Sequence, residues 1–401
     1  MLVSVFISAA LKEFLGMSVF SHEEKLSPEY VPDRLLFRER ELELLFSFFS
    51  SLLRDEKPFH VRVFLLGAVG TGKTSLAKLF GQEIERRALG VGRKIRFVHV
   101  NCRIHKSLYT ILRKTADALG LEIPRRGYSD EEILEIIVNF LRFNRTRLIL
   151  CLDEVEALIA EEGSGPIYLL TRSGEDIEAG ALLSLILVFR GADFFERLDG
   201  QTLSGMGGNS IHLEEYSRDQ LFEILRYRAS EAFVKNAISD EVLDFLAEVA
   251  AERKDARYAI DLLWRSGKYA EAEGSPTVTA EHVRKALASV YPTIRRENLA
   301  YLRPDERLVL LSTARSMLGN KASVTSHDVY ETYKLVCEEL GQEAKGYTSF
   351  WEILQQLQDL GFLRLSVKSE GAHGRKTYVY LPGIPAQLLE QELVKGLSHG
   401  L

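Results

Sequence analysis

The stretch VRVFLLGAVGTGKTSLAKLF (residues 61–80) constrains this chain more than any other. An apolar β-type run ends in a glycine-rich turn, and a helical pattern begins at once. The turn fits G-x-x-x-x-G-K-T through Gly67, Ala68, Val69, Gly70, Thr71, Gly72, Lys73 and Thr74, with Ser75 next. Glycines let backbone wrap closely round phosphates, so that N–H groups at a helix N-terminus face the anion. Lys73 supplies a point charge for β/γ-phosphates, and the Thr74 hydroxyl can ligate Mg²⁺. An unrelated glycine-rich turn has no reason to sit between a strand and a helix. Residues 67–75 are therefore expected to hold ATP or ADP.

The second half of such a site is RLILCLDEVEALI (147–159), a continuous apolar run ending in Asp153-Glu154. It has the character of a buried parallel strand, and open α/β sheets keep their ligands at the C-terminal ends of such strands. Asp153 is expected to hold Mg²⁺ through water, and Glu154 to polarise the attacking water. Between the two motifs lies IRFVHVNCR (95–103), another strand ending in polar residues. The order strand, helix, strand, helix, strand predicts a parallel sheet covered on both faces, an α/β nucleotide-binding base.

Composition adds boundaries rather than identity. With 46% hydrophobic and 27% charged residues, 401 residues suffice for two or three domains. A net charge of −6 means that any nucleic-acid binding must come from a local patch. Cys102, Cys151 and Cys337 are isolated, without metal or disulfide spacing, as expected in a reducing cytoplasm. The apolar start MLVSVFISAALKEFLG lacks a basic leader region. It is expected to be a short amphipathic extension, or upstream of a true start at Met17. No run is apolar enough to predict a membrane span.

Further stretches, in order, resemble one family. They are LSPEYVPDRLLFRERELELL (26–45), VNCR (100–103), LDEVEAL (152–158), IYLLTRSGE (167–175), YSRDQLFEILRYRASEAF (216–233) and KDARYAIDLLWRSGKYAEAEG (254–274). Together they are similar to the archaeal initiators of DNA replication, AAA+ relatives of the eukaryotic origin recognition complex and the cell-division-control loader. The resemblance implies an AAA+ base over 18–213, a helical lid over 214–295, a linker over 296–304 and a winged-helix domain over 305–401. It places Arg38 beside adenine and makes Arg257 a lid arginine facing the γ-phosphate, catalytic alongside Lys73 and Glu154. It makes Arg172 a backbone contact on duplex DNA, from a helix inserted in the base.

One stretch departs from the family. Its members end the next strand in Asn and follow it with Asp-Pro-Arg, whose arginine acts as a finger. VFRGADFFERLDGQT (188–202) offers Arg190 and Asp199-Gly200-Gln201 instead. A neutral Gln cannot spread transition-state charge, and such fingers are worth about 10³–10⁵ in rate. Nucleotide binding is therefore expected to be kept and hydrolysis to be slow; the alternative is that Arg197 takes the finger's role.

The helical pattern after residue 214 carries N-cap signals at Ser217 (with Gln220 in a capping box), Ser239 and Thr279. Beyond 305, helical runs at 305–317 and 325–340 precede GYTSFWEILQQLQDLGFL (346–363). There Phe350, Ile353, Leu354, Leu357 and Leu360 share a core face, with Ser349 and Glu352 as a capping box. FLRLSVKSEGAHGRKTYVYL (362–381) alternates as a β-hairpin wing. Helix plus wing is a DNA-reading arrangement. Tyr347, Thr348 and Gln355 are candidates for bases or sugars, and His373, Arg375 and Lys376 at the wing tip for phosphate or minor-groove contact, with Lys345, Arg364 and Lys368 extending that DNA-binding surface.

The resemblance thus implies a nucleotide-switched initiator, nucleoid-associated, that binds duplex DNA at origins and helps load a minichromosome-maintenance-type helicase, alone or with paralogues. An adaptor whose winged helix binds protein or regulates transcription is the alternative. An active ring remodeller is disfavoured by Gln201.

Overall fold

The computed structural model describes residues 18–54, 60–124, 127–172, 182–191, 209–290, 299, 302–319, 321–369, 375–382 and 385–398. They divide into two compact units. One spans Val31–Tyr216, and the other joins the N-terminal stretch up to Tyr30 with everything from Ser217 onward.

The first unit is the expected α/β base. Strands β1 (Arg62–Leu66), β2 (Lys94–Asn101), β3 (Thr146–Asp153), β4 (Leu183–Phe189) and β5 (Asn209–His212) form one sheet in the order β2-β3-β4-β1-β5. All four pairings are parallel. Successive side chains point to opposite faces of a strand, so each apolar run feeds two cores. Phe64, Leu66, Leu148, Leu150, Leu152, Leu185 and Leu187 line one. Val63, Leu65, Ile149, Cys151, Ile186 and Val188 line the other.

Helices α1 (Glu39–Phe49) and α2 (Lys73–Gly90) cover the second core, through Leu45, Phe49, Leu76, Phe80 and Ile84. Helices α3 (Leu108–Leu119) and α4 (Asp130–Asn144) cover the first, through Ile111, Leu112, Ile133 and Ile137. Two short helices, α5 (Glu156–Glu162) and α6 (Gly165–Arg172), extend that layer with Leu158, Ile167 and Leu170. Ser107 and Ser129 open α3 and α4 with full capping boxes.

In the second unit, helices α7 (Arg218–Ala232), α8 (Asp240–Ala250), α9 (Ala256–Ala272) and α10 (Ala280–Val290) make the lid. Ser217 forms its capping box with Gln220, and Ser239 caps α8 through the Val242 N–H. At Thr279 the backbone N–H donates to His282 Nδ1 at 3.0 Å. The segment 18–30 packs on these helices, although sequence alone placed it with the base. Phe20 packs on Phe233 with ring centroids 4.7 Å apart and planes tilted by 42°, and Val234 N–H donates to the Val19 carbonyl. Trp264 Nε1 reaches Glu23 at 2.8 Å.

The winged helix comprises α11 (Pro304–Ser316), β6 (Val324–Thr325), α12 (Ser326–Glu339), α13 (Tyr347–Asp359), β7 (Arg364–Ser369), β8 (Arg375–Tyr380) and α14 (Ala386–Ser398). The three strands form an antiparallel sheet in the order β6-β8-β7. Phe350, Ile353, Leu354 and Leu357 are buried as expected. Leu360 is not: it is 57% exposed, because α13 stops at Asp359 and the chain turns away at Gly361. The capping box expected of Ser349 and Glu352 is also corrected. Gly346 is the N-cap and Ser349 lies inside the helix.

Lid and winged helix pack as one body, held by a buried guanidinium. Arg284 of α10 is fully buried and pairs with Glu281 Oε1 at 2.7 Å. It also donates to the carbonyls of Leu381 at 3.3 Å and Lys321 at 2.7 Å, and lies over the Phe245 ring. Phe245 stacks on Tyr380, with centroids 5.8 Å apart. Beside this, α8 presents Asp244 and Glu248 on one helix face, and Glu252 follows in the turn after it. Asp244 pairs with Lys368, Glu248 with Arg364 at 2.9 Å, and Glu252 with Arg364 at 2.5 Å.

Removing one partner of a buried ion pair costs about 3–5 kcal/mol, because the other group is left unpaired. Arg284→Met is therefore expected to destabilise the lid-and-wing unit by that amount. Denaturant unfolding, followed by fluorescence of Trp264 and Trp351, measures it.

Candidate nucleotide site

At the C-terminal end of β1 the chain wraps through Gly67 (φ 151°), Gly70 (φ 78°) and Gly72 (φ 90°) into the first turn of α2. Two of these glycines are dictated by space as well. A Cβ on Gly67 would stand 2.5 Å from the Leu213 carbonyl oxygen, and one on Gly72 would stand 2.9 Å from the Tyr216 hydroxyl. Lys73 is 9% exposed, and its Nζ donates to the Gly67 and Ala68 carbonyls at 2.7 Å each. Its charge thus lies within the loop's own concavity. Val69 is the most exposed of the loop residues, and Ser75 is half-buried.

Asp153 ends β3 beside this loop and is 2% exposed. Thr74 Oγ1 donates to its Oδ2 at 2.7 Å, and His99 Nε2 lies 3.1 Å from the same oxygen. A carboxylate only accepts, so the imidazole carries its proton on Nε2. Parallel register explains the contact: Asn101 stands opposite Asp153 and His99 opposite Cys151. Burial alone would raise the Asp153 carboxyl. The bonds from His99 and Thr74, the His99 charge and the Glu154 N–H outweigh it, and its pKa is lowered. Burial, then Asp153, Glu156 and Glu154, pushes the Cys102 thiol up to about 12, so it is no nucleophile.

Glu154 follows in the left-handed region, φ 55°, which is rare for a side chain of its size. Its carboxylate is held from two sides. Arg190 Nη2 meets Oε1 at 3.0 Å, and Arg103 Nε meets Oε2 at 3.4 Å. Glu156 Oε1 in turn accepts the Arg190 backbone N–H. Neither the role of Arg103 nor that of His99 was legible in sequence. Each depends on which residues parallel strands place side by side.

The geometry fits a nucleoside triphosphate with Mg²⁺. The glycines leave room where side chains would fill the loop, Lys73 brings its charge there, and Thr74 and Asp153 share one hard-oxygen corner. Arg38, expected beside adenine, is 4% exposed and bonded to the loop's own backbone. Arg257 stands in the first turn of α9, exposed, with its N–H capped by Asp255.

The remaining candidates lie in the winged helix and in α6. Tyr347, Thr348 and Gln355 are exposed on α13, and Arg375 and Lys376 on β8. Lys368 and Arg364 turn to the lid acids instead, and Lys345 pairs with Asp305. Arg172 closes α6; its side chain lies outside the described residues, as do Arg197, Gln201 and His373.

Three family descriptions match the chain: an AAA domain at residues 62–198, a Cdc6 AAA+ ATPase-type lid domain at 222–288 and the C-terminal winged-helix domain of CDC6 at 297–390. ORC1-type DNA replication protein 2 of Saccharolobus solfataricus is 34% identical over 374 residues, 90% of each chain. The chain belongs to the archaeal Orc1/Cdc6 family of replication initiators. Another family member, ORC1-type DNA replication protein 1 of Sulfurisphaera tokodaii, is 29% identical over 99% of this chain and 97% of its own.

Solved structures agree. Cdc6p from Pyrobaculum aerophilum superposes with a TM-score of 0.82 at 29% identity, over 96% of this chain and all of that one. The ORC1 protein of Aeropyrum pernix, solved in complex with DNA, gives 0.62 at 31% identity over 95% and 99%. Among the described residues of this Orc1/Cdc6 chain, no helix is long and apolar enough to cross a membrane.

The lowered Asp153 pKa fixes the sign of a pH effect. Its contribution to stability is fully present above the unfolded value near 3.8 and is lost as pH falls through the depressed folded value. In nucleotide-free protein, the stability gap between wild type and Asp153→Asn should therefore close on acidification below that value. Urea unfolding across an acid series tests this.

Proposed function

We propose that this initiator binds ATP or ADP with Mg²⁺, hydrolyses ATP slowly, engages duplex DNA at origins and helps recruit the replicative helicase. The observation that carries the nucleotide half is the pairing of Thr74 with buried Asp153 beside Lys73, with Glu154 between two arginines. Bound Mg²⁺ would draw charge from the phosphates, held by Thr74 directly and by Asp153 through water. The loop N–H groups and Lys73 orient the phosphates. Arg257, the lid arginine of the family, reads the γ-phosphate.

Glu154 is the group that takes a proton from the attacking water, and to do so it must leave Arg190 or Arg103. Exposed pairs are worth about 0.2–1 kcal/mol each, so releasing one slows turnover by up to about fivefold, and releasing both by roughly twofold to thirtyfold. The Gln201 substitution, at about 10³–10⁵ for an arginine finger, is the larger brake. The two act in the same direction. Arg190→Asn is expected to raise turnover several-fold while leaving nucleotide affinity within about threefold; steady-state hydrolysis with a parallel binding titration checks this. Unchanged or lower turnover removes the ion pair from the account.

The DNA half rests on the exposed row Tyr347, Thr348 and Gln355 on α13, on Arg375 and Lys376 at the start of β8, and on α6 with Arg172. That an archaeal relative of the same architecture was solved on DNA supports it. Each neutralised phosphate contributes close to one to the slope of log affinity against log salt. Arg375→Ala and Lys376→Ala should each lower that slope by about one. Duplex binding indifferent to salt and to both substitutions would favour the adaptor reading.

A further inference from the structure

Arg38 is the least exposed of the cations expected at the nucleotide, and each of its three guanidinium nitrogens is bonded to a backbone carbonyl. Its Nε donates to the Thr71 carbonyl at 3.0 Å and its Nη1 to the Phe37 carbonyl at 2.9 Å. Its Nη2 donates to the Glu214 carbonyl. The guanidinium plane lies over Tyr216, 4.1 Å from the ring centroid, and Glu41 stands 3.8 Å from Nη1. With 4% of its surface exposed and a ring over its plane, this side chain is directed to backbone carbonyls and away from solvent.

What it holds is informative. Thr71 sits inside the phosphate loop, between Gly70 and Gly72, and its own Oγ1 donates to the Ala68 carbonyl at 2.9 Å. An N–H group of such a loop faces an anion only when its peptide plane is suitably turned. The bond from Arg38 to the Thr71 carbonyl fixes one of those peptide planes. Glu214 and Tyr216, the other anchors, come just before Ser217, where the chain leaves the base for the lid unit. Phe37, held in the left-handed region at φ 63°, follows the other crossing, at Tyr30–Val31. Within the base, one guanidinium therefore joins the phosphate loop to Phe37 and to the stretch that precedes Ser217.

We propose that Arg38 is a positioning residue: through Thr71 it holds the phosphate loop in its anion-binding conformation, and through Glu214 it ties that loop to the last residues of the base. It touches no base. The inference rests on the reading that this loop binds nucleotide. A lysine cannot replace it, because one ammonium does not fork to three carbonyls in a plane.

The test compares wild type, Arg38→Lys and Arg38→Ala. Fluorescent ATP and GTP analogues are titrated, and hydrogen exchange is followed in nucleotide-free protein. Both affinities should fall by the same factor, about tenfold or more for a lost charge-assisted bond, with the ATP/GTP ratio unchanged. Amides of residues 68–74 should exchange faster in both variants, while those of β3 stay protected. Loss of ATP affinity alone would mean a base contact and overturn the proposal. So would unchanged affinities with unchanged exchange. If wild type binds neither nucleotide, the functional reading has failed, and loop exchange alone then decides the role of Arg38. Should Arg38→Ala fail to fold, Arg38→Lys carries the comparison.

Discussion

A carboxylate buried to 2% exposure survives only if its oxygens are bonded, and that requirement at Asp153 organises the base. Thr74 must come from the first turn of α2, His99 from the neighbouring strand, and the Glu154 N–H from the turn that follows. These demands are met together only when β2 and β3 pair in the observed parallel register and β1 delivers its loop alongside. A slip by one residue would turn His99 to the other face and leave the carboxylate short of a partner. The same strand end then sets Glu154 between Arg103 and Arg190. The buried carboxylate and the doubly paired Glu154 thus share one corner of the sheet.

The second unit is organised by charge across a joint rather than by a shared apolar core alone. Arg284 satisfies carbonyls of the winged helix from within the lid, and the acids of α8 meet the bases of β7. Lys368 and Arg364 are therefore spent on the fold, while α13 and the start of β8 keep exposed polar and basic groups. Long cations on a strand look alike in sequence, whichever way they are used.

What sequence disclosed follows the range of the interactions. The phosphate loop, the Asp153-Glu154 strand end and the caps at Ser217 and Ser239 are local, and each was legible from a few neighbouring residues. The apolar face of α13 was legible too, except for Leu360, where a turn at Gly361 ended the periodicity one residue early. The roles of Arg38, Arg103, Arg190 and Arg284 were not, since each pairs with residues far along the chain. The docking of 18–30 on the lid escaped for the same reason: Val19, Phe20 and Leu26 are too few to carry a period.

The clasp between α8 and β7 also limits how such proteins diversify. A winged helix exchanged alone between relatives would leave Asp244, Glu248 and Glu252 facing a foreign strand, with only Arg218 of α7 still paired to the first two. Lid and wing are thus heritable as a pair. Substitutions are free to accumulate on the exposed face of α13, but β7 can drift only in step with a helix more than a hundred residues upstream.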